Sequence, residues 1–255
     1  MKIVACVKQV PDTAAKVAVD NGKVAWGDAP LVINPWDEYA VEAALQMKEA
    51  QGGTVTAVTI GGPSSADALK HALAMGCDDA VHINDPALAV LDTQAAARVL
   101  AAAVNKIDGV DLVFFGKEAV DGNSGLVASQ AARLLGFASL TLASVVKFDN
   151  GALRVERATD DGRQVVTAKP PAVLSIAKDY GDPRYPSFMG IRKASKAVIP
   201  TWTLADLGIA APVPVISTLE ILNPPSREVN CEIIAGTPGE AAENLVEKIL
   251  EEKVL

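Results

Sequence analysis

The chain has 255 residues, half of them hydrophobic, with 31 acidic side chains against 23 basic ones and a formal net charge of −8. This length and composition exclude intrinsic disorder and allow either one large domain or one domain with an appendage. An acidic protein lacks the basic surface that non-specific nucleic-acid binding or attraction to an anionic membrane requires, so we expect neither partner.

The start of the chain and its cysteines indicate a cellular compartment. Lys8 ends the apolar run at residues 3–7 too early for a signal peptide, and no apolar stretch approaches the length of about 18 residues that a membrane span needs. We therefore expect a cytoplasmic protein without direct membrane insertion. Cys6, Cys77 and Cys231 are odd in number and form no CxxC pair, which predicts three packed, reduced thiols and neither a disulfide framework nor a structural zinc site.

Four strand-helix units follow one another in the first half of the chain. Apolar runs predict strands at residues 2–7, 54–60, 80–83 and 112–115. Helical periodicity predicts helices at residues 36–50, at residues 92–104 and between Gly125 and Gly136. A further helix, capped by Ser64 or Ser65, is predicted to extend to about residue 75. An Asn21-Gly22 turn predicts a surface hairpin. The alternation predicts a parallel sheet with helices on both faces.

Two of these helices carry more detailed expectations. In the helix at residues 36–50 the small apolar residues face the core, whereas Glu38, Glu42 and Glu49 face solvent. The helix before Gly136 is expected to be capped by the side chain of Asn123 or Ser124.

The pattern changes to that of an antiparallel meander in the second half of the chain. Strand-like runs at residues 144–148, 153–157 and 164–168 are joined by turn sequences. Residues 172–176 predict one more buried strand, which returns to the edge of the sheet.

The remaining residues contain less regular structure. They include an irregular basic segment at 179–200, a helical turn at 202–209, a proline-punctuated stretch at 211–225 and a terminal helix at 240–253. We therefore expect an α/β domain in residues 1–200, including a partner-recognition loop at 184–196, and a C-terminal arm in residues 201–255.

The best candidate for a binding site follows the fourth predicted strand. Residues 121–125, DGNSG, are small, and their backbone N–H groups are free to point outward at the start of a helix, as in phosphate sites. Plain helix-cap chemistry is the alternative. The carboxyl ends of three predicted strands, at residues 6–8, 61–63 and 117–125, meet at one edge of a parallel sheet, and Asn34 precedes a helix beside them. This convergence favours a nucleotide site.

Catalytic motifs are absent from the sequence. His71 and His82 do not have the spacing of metal ligands, Ser124 lies in GNSG and not in GxSxG, and no GxGxxG occurs. The sequence therefore predicts neither a metal site nor a self-contained enzyme.

Six motifs occur in a fixed order along nearly the whole chain, namely VKQVPD, NPWDEYAVEAAL, ALAMGCDDAVHI, DLVFFGKEAVDG, KPPAVLSI and PRYPSFMGIRKA. In this order the chain resembles the beta subunits of electron transfer flavoproteins. The segment VERATDDGRQVVTAKPPAVLS also follows that family's signature, with Ser175 where a smaller set of residues is usual. The resemblance implies a Rossmann-like nucleotide-binding α/β domain, similar to adenine nucleotide alpha hydrolases, with an antiparallel hairpin extension and an arm that packs on an alpha subunit.

The resemblance also implies a function. The chain would be an electron-carrier subunit in a heterodimer with an alpha subunit that holds most contacts to a redox-active FAD. The carrier would take electrons from flavoprotein dehydrogenases, such as the acyl-CoA dehydrogenases of fatty acid beta-oxidation, and pass them to a quinone reductase or another acceptor.

A second nucleotide is implied for the beta subunit itself. Most members hold an AMP without a redox role, and electron-bifurcating members hold a second FAD in the same place. The loop departs from both patterns. It has Val127-Ala128 where AMP-type members tend to have Thr-Gly, and it keeps Asp121, Gly122 and Val127 of the bifurcating pattern but has Leu126, Ala128 and Ser129. AMP is our expectation, because half of the bifurcating motif is absent, and a second FAD is the alternative. The corresponding positions are Cys6, Asn34, Gly61, Asp121, Asn123, Ser124, Gly125, Leu126, Val127 and Ala128.

The motif PRYPSFMGIRKA resembles the loop by which the family recognises dehydrogenases. The expected partner-binding residues are Arg184, Tyr185, Phe188, Met189, Ile191 and Arg192, with Phe188 as the apolar anchor. From composition alone, the alternative is that Phe188 packs inward.

Two other classes stay open from the residues alone. One is a nucleotide-binding stress or sensor protein of similar fold, which needs neither the meander nor the segment at residues 184–196. The other is a hydrolase or ligase acting on adenylates, which needs a catalytic group near Ser124. An adjacent alpha-subunit gene separates both from the electron carrier.

Overall fold

A computed structural model describes residues 1–223, 225 and 231–253 of the chain. The chain divides into two compact units, Met1–Glu220 and Ile221–Leu255. The predicted arm at residues 201–255 lies partly outside the described residues, at 224, 226–230 and 254–255. Its packing on an alpha subunit stays a prediction.

The elements of the described residues follow the expected alternation as far as residue 135. The strands are β1 (Lys2–Cys6), β2 (Gln9–Pro11), β3 (Ala18–Asp20), β4 (Lys23–Ala25), β5 (Leu31–Ile33), β6 (Thr54–Ile60), β7 (Asp79–Ile83), β8 (Leu112–Gly116), β9 (Ala138–Asp149), β10 (Ala152–Thr159), β11 (Gly162–Ala168), β12 (Ala172–Ile176) and β13 (Thr201–Trp202). The α-helices are α1 (Pro35–Gln51), α2 (Ala66–Met75), α3 (Thr93–Ile107), α4 (Val127–Leu135), α5 (Phe188–Ala194), α6 (Leu204–Leu207) and α7 (Pro238–Glu251).

One nine-stranded sheet organises the first unit, in the order β11-β10-β9-β12-β8-β1-β6-β7-β13. Strands β12, β8, β1, β6, β7 and β13 pair in parallel, whereas β9, β10 and β11 form the predicted antiparallel meander. The α/β class with a hairpin extension is therefore confirmed.

Helices cover both faces of the parallel part of the sheet. Successive side chains of a strand point to opposite faces, so each strand packs against helices on both sides. In β1, Ile3 and Ala5 belong to the core cluster that contains α1 and α2. Val4 and Cys6 belong to the opposite cluster, which contains α3 and α4. Ile3, Val4 and Ala5 are fully buried, as two-sided packing requires.

The position of β12 differs from the prediction. The strand does not lie at the edge of the sheet but between β8 and β9, where it pairs in parallel with both. All five of its residues are buried. A run of apolar residues predicts that a strand is buried, but it does not predict which strands will be its neighbours in the sheet.

Four local predictions are also wrong. Glu42, expected on the solvent face of α1, is only 5% exposed. Ser65 occupies the N-cap of α2 without a side-chain capping hydrogen bond. The segment at residues 179–200, expected to be irregular, contains helix α5. Cys231 is exposed and not packed.

Within the second unit, α7 begins at a capping box between Thr237 and Glu240. Its apolar residues Leu245, Val246 and Leu250 are exposed, and Lys248 forms a 2.6 Å ion pair with Glu232. Across the part of the chain that the structure describes, none of the helices combines the length and the apolar character needed to cross a bilayer.

Candidate functional site

The site lies at the carboxyl edge of three adjacent parallel strands. Strand β1 pairs with β8 on one side and with β6 on the other, so the ends of all three strands point the same way. Helix α1 begins at this edge, because the backbone N–H of Asn34 donates to the carbonyl oxygen of Lys8 at 2.8 Å. Ligands of open α/β sheets bind at such edges.

The side chain of Asn34 holds the loop that follows β8. Its Nδ2 donates to the carbonyl oxygen of Glu118 at 2.9 Å, and its Oδ1 accepts from the backbone N–H of Val120 at 3.2 Å. Only 1% of Asn34 is exposed. The described role of the amide is therefore to position the loop, and its predicted contact with a nucleotide stays a prediction.

Asp37, in the first turn of α1, ties two strand ends together. Its Oδ2 accepts from the backbone N–H of Lys8 at 2.7 Å, and its Oδ1 accepts from the backbone N–H of Gly116 at 3.3 Å. Burial raises the pKa of Asp37 to about 7, against the opposing effect of hydrogen bonds from Asn34, Lys8 and Gly116 and of the charge of Lys8. Asp37 was not predicted to belong to the site.

Gly116 makes this close approach possible. A Cβ atom at position 116 would lie 2.5 Å from Oδ1 of Asp37 and 2.6 Å from the carbonyl carbon of Trp36. The sequence signal was present, since a glycine ends the apolar run of β8 and an acidic residue follows Pro35 in α1. Neither of these two signals alone predicts that Gly116 and Asp37 are in contact.

Residues 117–126 connect β8 to α4, and the predicted nucleotide-binding run from Asp121 to Ala128 includes the end of this loop and the first two residues of α4. An ion pair of 2.6 Å between Nζ of Lys8 and Oδ2 of Asp121 ties the loop to the end of β1. Residues 122–126 are exposed. The N-cap of α4 is Leu126, whose side chain makes no capping hydrogen bond, so the predicted caps Asn123 and Ser124 are wrong. The helix begins later than its polar residues suggested.

This late start leaves the first turn of α4 uncapped. The backbone N–H groups of the first turn of a helix have no partner within the helix and carry partial positive charge. Because Leu126 does not cap them, the N–H groups at the start of Val127–Leu135 suit a phosphate group. These N–H groups therefore form a donor set of the kind that binds a phosphate group.

The other two predicted positions, Cys6 and Gly61, contribute differently. Burial raises the pKa of the Cys6 thiol above its ordinary value, and the charge of Asp37 raises it further, so the thiol stays protonated. The backbone N–H of Gly61 donates to the carbonyl oxygen of Ile83 at 3.0 Å, and its carbonyl oxygen lies 2.9 Å from Nε2 of His82. Both residues lie at the same edge, Cys6 in β1 and Gly61 just after β6.

The predicted partner-binding residues lie in and before α5. The exposed fraction of Phe188 is 81%, so the structure does not bury it. Tyr185, Met189 and Ile191 are exposed as well. The guanidinium of Arg184, in contrast, contacts α1, through ion pairs with Glu42 and Glu49.

Comparisons with known proteins agree with this architecture. A model of the electron transfer flavoprotein domain matches residues 22–207. The chain is 35% identical over 249 residues to the electron transfer flavoprotein subunit beta of Bacillus subtilis, covering 96% of each chain. It is 38% identical over 211 residues to the subunit beta of Clostridium acetobutylicum, covering 82% of this chain and 81% of the other. It is also 34% identical to the caffeyl-CoA reductase-Etf complex subunit CarD of Acetobacterium woodii, over 265 residues and 100% of both chains. The chain therefore belongs to the beta-subunit family of the electron transfer flavoproteins.

Proposed function

We propose that the chain is the beta subunit of a heterodimeric electron carrier and that residues Asp121 to Ala128, in the loop after β8 and the first turn of α4, hold AMP. The observation that carries the nucleotide proposal is the uncapped first turn of α4 at the shared carboxyl edge of β8, β1 and β6. A nucleotide phosphate at this turn would accept hydrogen bonds from backbone N–H groups. Lys8 and Asn34 hold the loop in place for it.

The partner in this proposal is an alpha subunit, with which the chain completes the binding of a redox-active FAD. The flavin supplies the electron transfer itself, and the protein supplies binding, orientation and electrostatics. The exposed apolar stripe of α7, formed by Leu245, Val246 and Leu250, supports a partner surface for the second unit.

Dehydrogenase docking is assigned to α5. A small docking surface combines large apolar anchors with basic residues around them. Phe188, Met189 and Ile191 supply exposed apolar side chains on one short helix, and Arg192 and Lys193 supply exposed positive charge. The donor would be a flavoprotein dehydrogenase, and the acceptor a quinone reductase or another redox protein.

A second FAD in place of AMP is the alternative. It is supported by the similarity to the CarD subunit of a caffeyl-CoA reductase-Etf complex. In that case the same loop would bind the phosphates of the flavin nucleotide, and the chain would work in an electron-bifurcating carrier.

Nucleotide content tests both versions. The chain is co-expressed with the alpha subunit, and the purified complex is extracted with acid and analysed by chromatography. One FAD and one AMP per heterodimer support the proposal, and two FAD support the alternative. Absence of any adenine nucleotide beyond one FAD would overturn the site.

A matched pair of variants locates the nucleotide. Gly125→Pro removes one loop N–H and fixes the backbone, so we expect it to release the second nucleotide and leave one FAD. Gly122→Ala, in the same loop, is the control, because a Cβ there meets nothing within 4 Å. Equal retention in both variants would place the nucleotide elsewhere.

A further inference from the structure

Helix α5 is too short to keep a fixed orientation without help from the rest of the domain. It has seven residues, Phe188–Ala194, and a helix of that length is not stable alone in water. Most of its side chains are exposed, so its own burial holds it weakly. Its direction must therefore be set by contacts outside the exposed face.

One such contact is with the end of α2. The backbone of Gly190 lies against the carbonyl oxygen of Ala74, and a Cβ at position 190 would overlap that oxygen. Ala194 is buried as well. These two small residues seat the inner side of α5, but they do not fix the segment that leads into it.

The second contact is made by Arg184, four residues before α5. Its Nε and its backbone N–H donate to Oε2 of Glu42, at 2.8 and 3.0 Å. Its Nη2 donates to Oε1 of Glu42 and to Oε2 of Glu49, both at 3.1 Å, and its Nη1 donates to Oε1 of Glu49 at 2.6 Å. One guanidinium thus joins the segment to two acidic residues that lie about two turns apart on α1.

The carboxylate of Glu42 is the buried centre of this network. Its Oε1 also accepts from Nε2 of Gln46 at 2.7 Å, and Oη of Tyr180 donates to Oε1 of Gln46 at 3.1 Å. Burial opposes ionisation of Glu42, but hydrogen bonds from Arg184 and Gln46 and the charge of Arg184 together lower its pKa. A buried carboxylate that loses its partner is costly, so the network favours one position of Arg184.

We propose that Arg184 is the positioning residue of the docking helix: it does not contact the dehydrogenase but anchors the entry to α5 on Glu42 and Glu49 of α1. This inference rests on the proposed docking role of α5. An anchored helix loses less conformational freedom when the partner binds, which raises affinity without changing the electron-transfer step. Arg184 thereby differs from Arg192, which is exposed on α5 itself.

The first experiment measures the anchor in the absence of a dehydrogenase. Amide hydrogen exchange is followed by mass spectrometry in the heterodimer, wild type against Arg184→Gln. We expect residues 188–194 to exchange at least about tenfold faster in the variant, with α3 and the meander unchanged. Arg154→Gln is the control, because it also removes one charge and one ion pair, that between Arg154 and Glu156. Unchanged exchange in residues 188–194 would overturn the inference.

Two further variants distinguish a local loosening of α5 from a general loss of stability. Glu49→Gln removes only the more exposed half of the network, and we expect a smaller loosening of α5 in a protein that melts normally. Arg184→Lys keeps the positive charge but cannot form the fork, that is, the paired guanidinium hydrogen bonds to Glu42 and Glu49. We therefore expect this variant to protect residues 188–194 from exchange only in part. Full protection in Arg184→Lys would mean that charge alone, and not the fork, holds the segment.

The second experiment measures docking, with a purified acyl-CoA dehydrogenase as the electron donor. We expect Arg184→Gln to raise the apparent KM for the carrier about tenfold and to leave kcat unchanged. If Phe188→Ala raises KM and Arg184→Gln does not, the positioning role is wrong and the proposed docking surface stands. If neither variant changes KM, the docking role of α5 is wrong, while hydrogen exchange still decides whether Arg184 anchors the helix.

Discussion

The side-chain amide of Asn34 donates a 2.9 Å hydrogen bond to the carbonyl oxygen of Glu118, 84 residues later in the chain. The same amide accepts from the backbone N–H of Val120. The start of α1 therefore determines the conformation of the loop after β8. The site therefore depends on a side chain that bonds to the backbone of the loop and also to the carboxyl group of Asp37.

Asn34→Ala tests this dependence. The change leaves the carbonyl of Glu118 and the N–H of Val120 without these bonds, so we expect a loss of about 2 kcal/mol in the free energy of unfolding and release of the second nucleotide. Urea unfolding and nucleotide extraction measure the two effects. Asn105→Ala, on the exposed side of α3, is the control. Full nucleotide retention in Asn34→Ala would contradict the role of the clamp.

Gly116→Ala tests the packing of α1 against β8. The added methyl group overlaps Asp37 and the backbone of Trp36, so the helix must shift, and we expect a loss of about 3 kcal/mol in the free energy of unfolding. Gly122→Ala should change it by less than about 0.5 kcal/mol, since that position is open. Equal urea midpoints for the two variants would show that α1 has room to move.

The raised pKa of Asp37 predicts a pH dependence of stability. The unfolded chain loses this proton near pH 3.8 and the folded chain near pH 7, so unfolding releases a proton between these values. Rising pH therefore destabilises the folded state across this window, by up to about 1.4 kcal/mol per pH unit. Above pH 7 the effect is complete.

Asp37→Asn isolates this effect, because it removes the titrating group. We expect the free energy of unfolding of the wild type, relative to the variant, to fall as pH rises from about 4 to about 7 and then to level off. Urea unfolding at several pH values, followed by tryptophan fluorescence, measures the difference. A difference that is constant between pH 4 and pH 7 would show that Asp37 has an unshifted pKa.

Phe188→Ala tests the docking surface. The side chain is 81% exposed, so its loss should leave the melting temperature unchanged. We expect the affinity for the dehydrogenase to fall about thirtyfold, or about 2 kcal/mol of binding free energy. Val198→Ala, at a position that is 95% exposed outside α5, serves as the control. Transfer rates measured against carrier concentration that do not change in Phe188→Ala would place docking elsewhere.

The chain without its partner is expected to self-associate. Val213, Val215, Ile216 and Leu219 are exposed at the end of the first unit, and α7 exposes apolar residues of its own. Apolar surface of this kind favours association in water. Gel filtration compares the chain expressed alone with the co-expressed pair. A lone chain that elutes as a stable monomer would contradict an obligate heterodimer.

The strand-helix units before Gly136 were predictable because each one carries its own periodic pattern and turn residues. The convergence of Cys6, Gly61 and the loop after β8 followed from the rule for parallel strands. Burial of Glu42 did not follow, because its partner Arg184 lies 142 residues later and no local pattern links them. From its local sequence, an isolated acidic residue on a helix is predicted to be exposed to solvent.

Helix α5 was missed for a related reason. Seven residues that include a glycine give little periodic signal, and Pro183 and Pro186 before them suggested an irregular loop. The N-cap Ser187, whose hydroxyl accepts from the backbone N–H of Gly190 at 2.9 Å, was the one local sign. The backbone of Gly190 lies against Ala74 of α2, and sequence periodicity does not predict such a contact.

The position of β12 between β8 and β9 constrains how the protein is made. Synthesis of β8 is complete at residue 116, but the neighbour on its outer side arrives only with residues 172–176. We therefore expect a nascent chain on the ribosome to carry an apolar strand with one open edge until residue 176 has emerged. Open edges of apolar strands pair readily with other chains. Translation pauses before this point would favour aggregation, whereas later pauses would leave a complete central sheet.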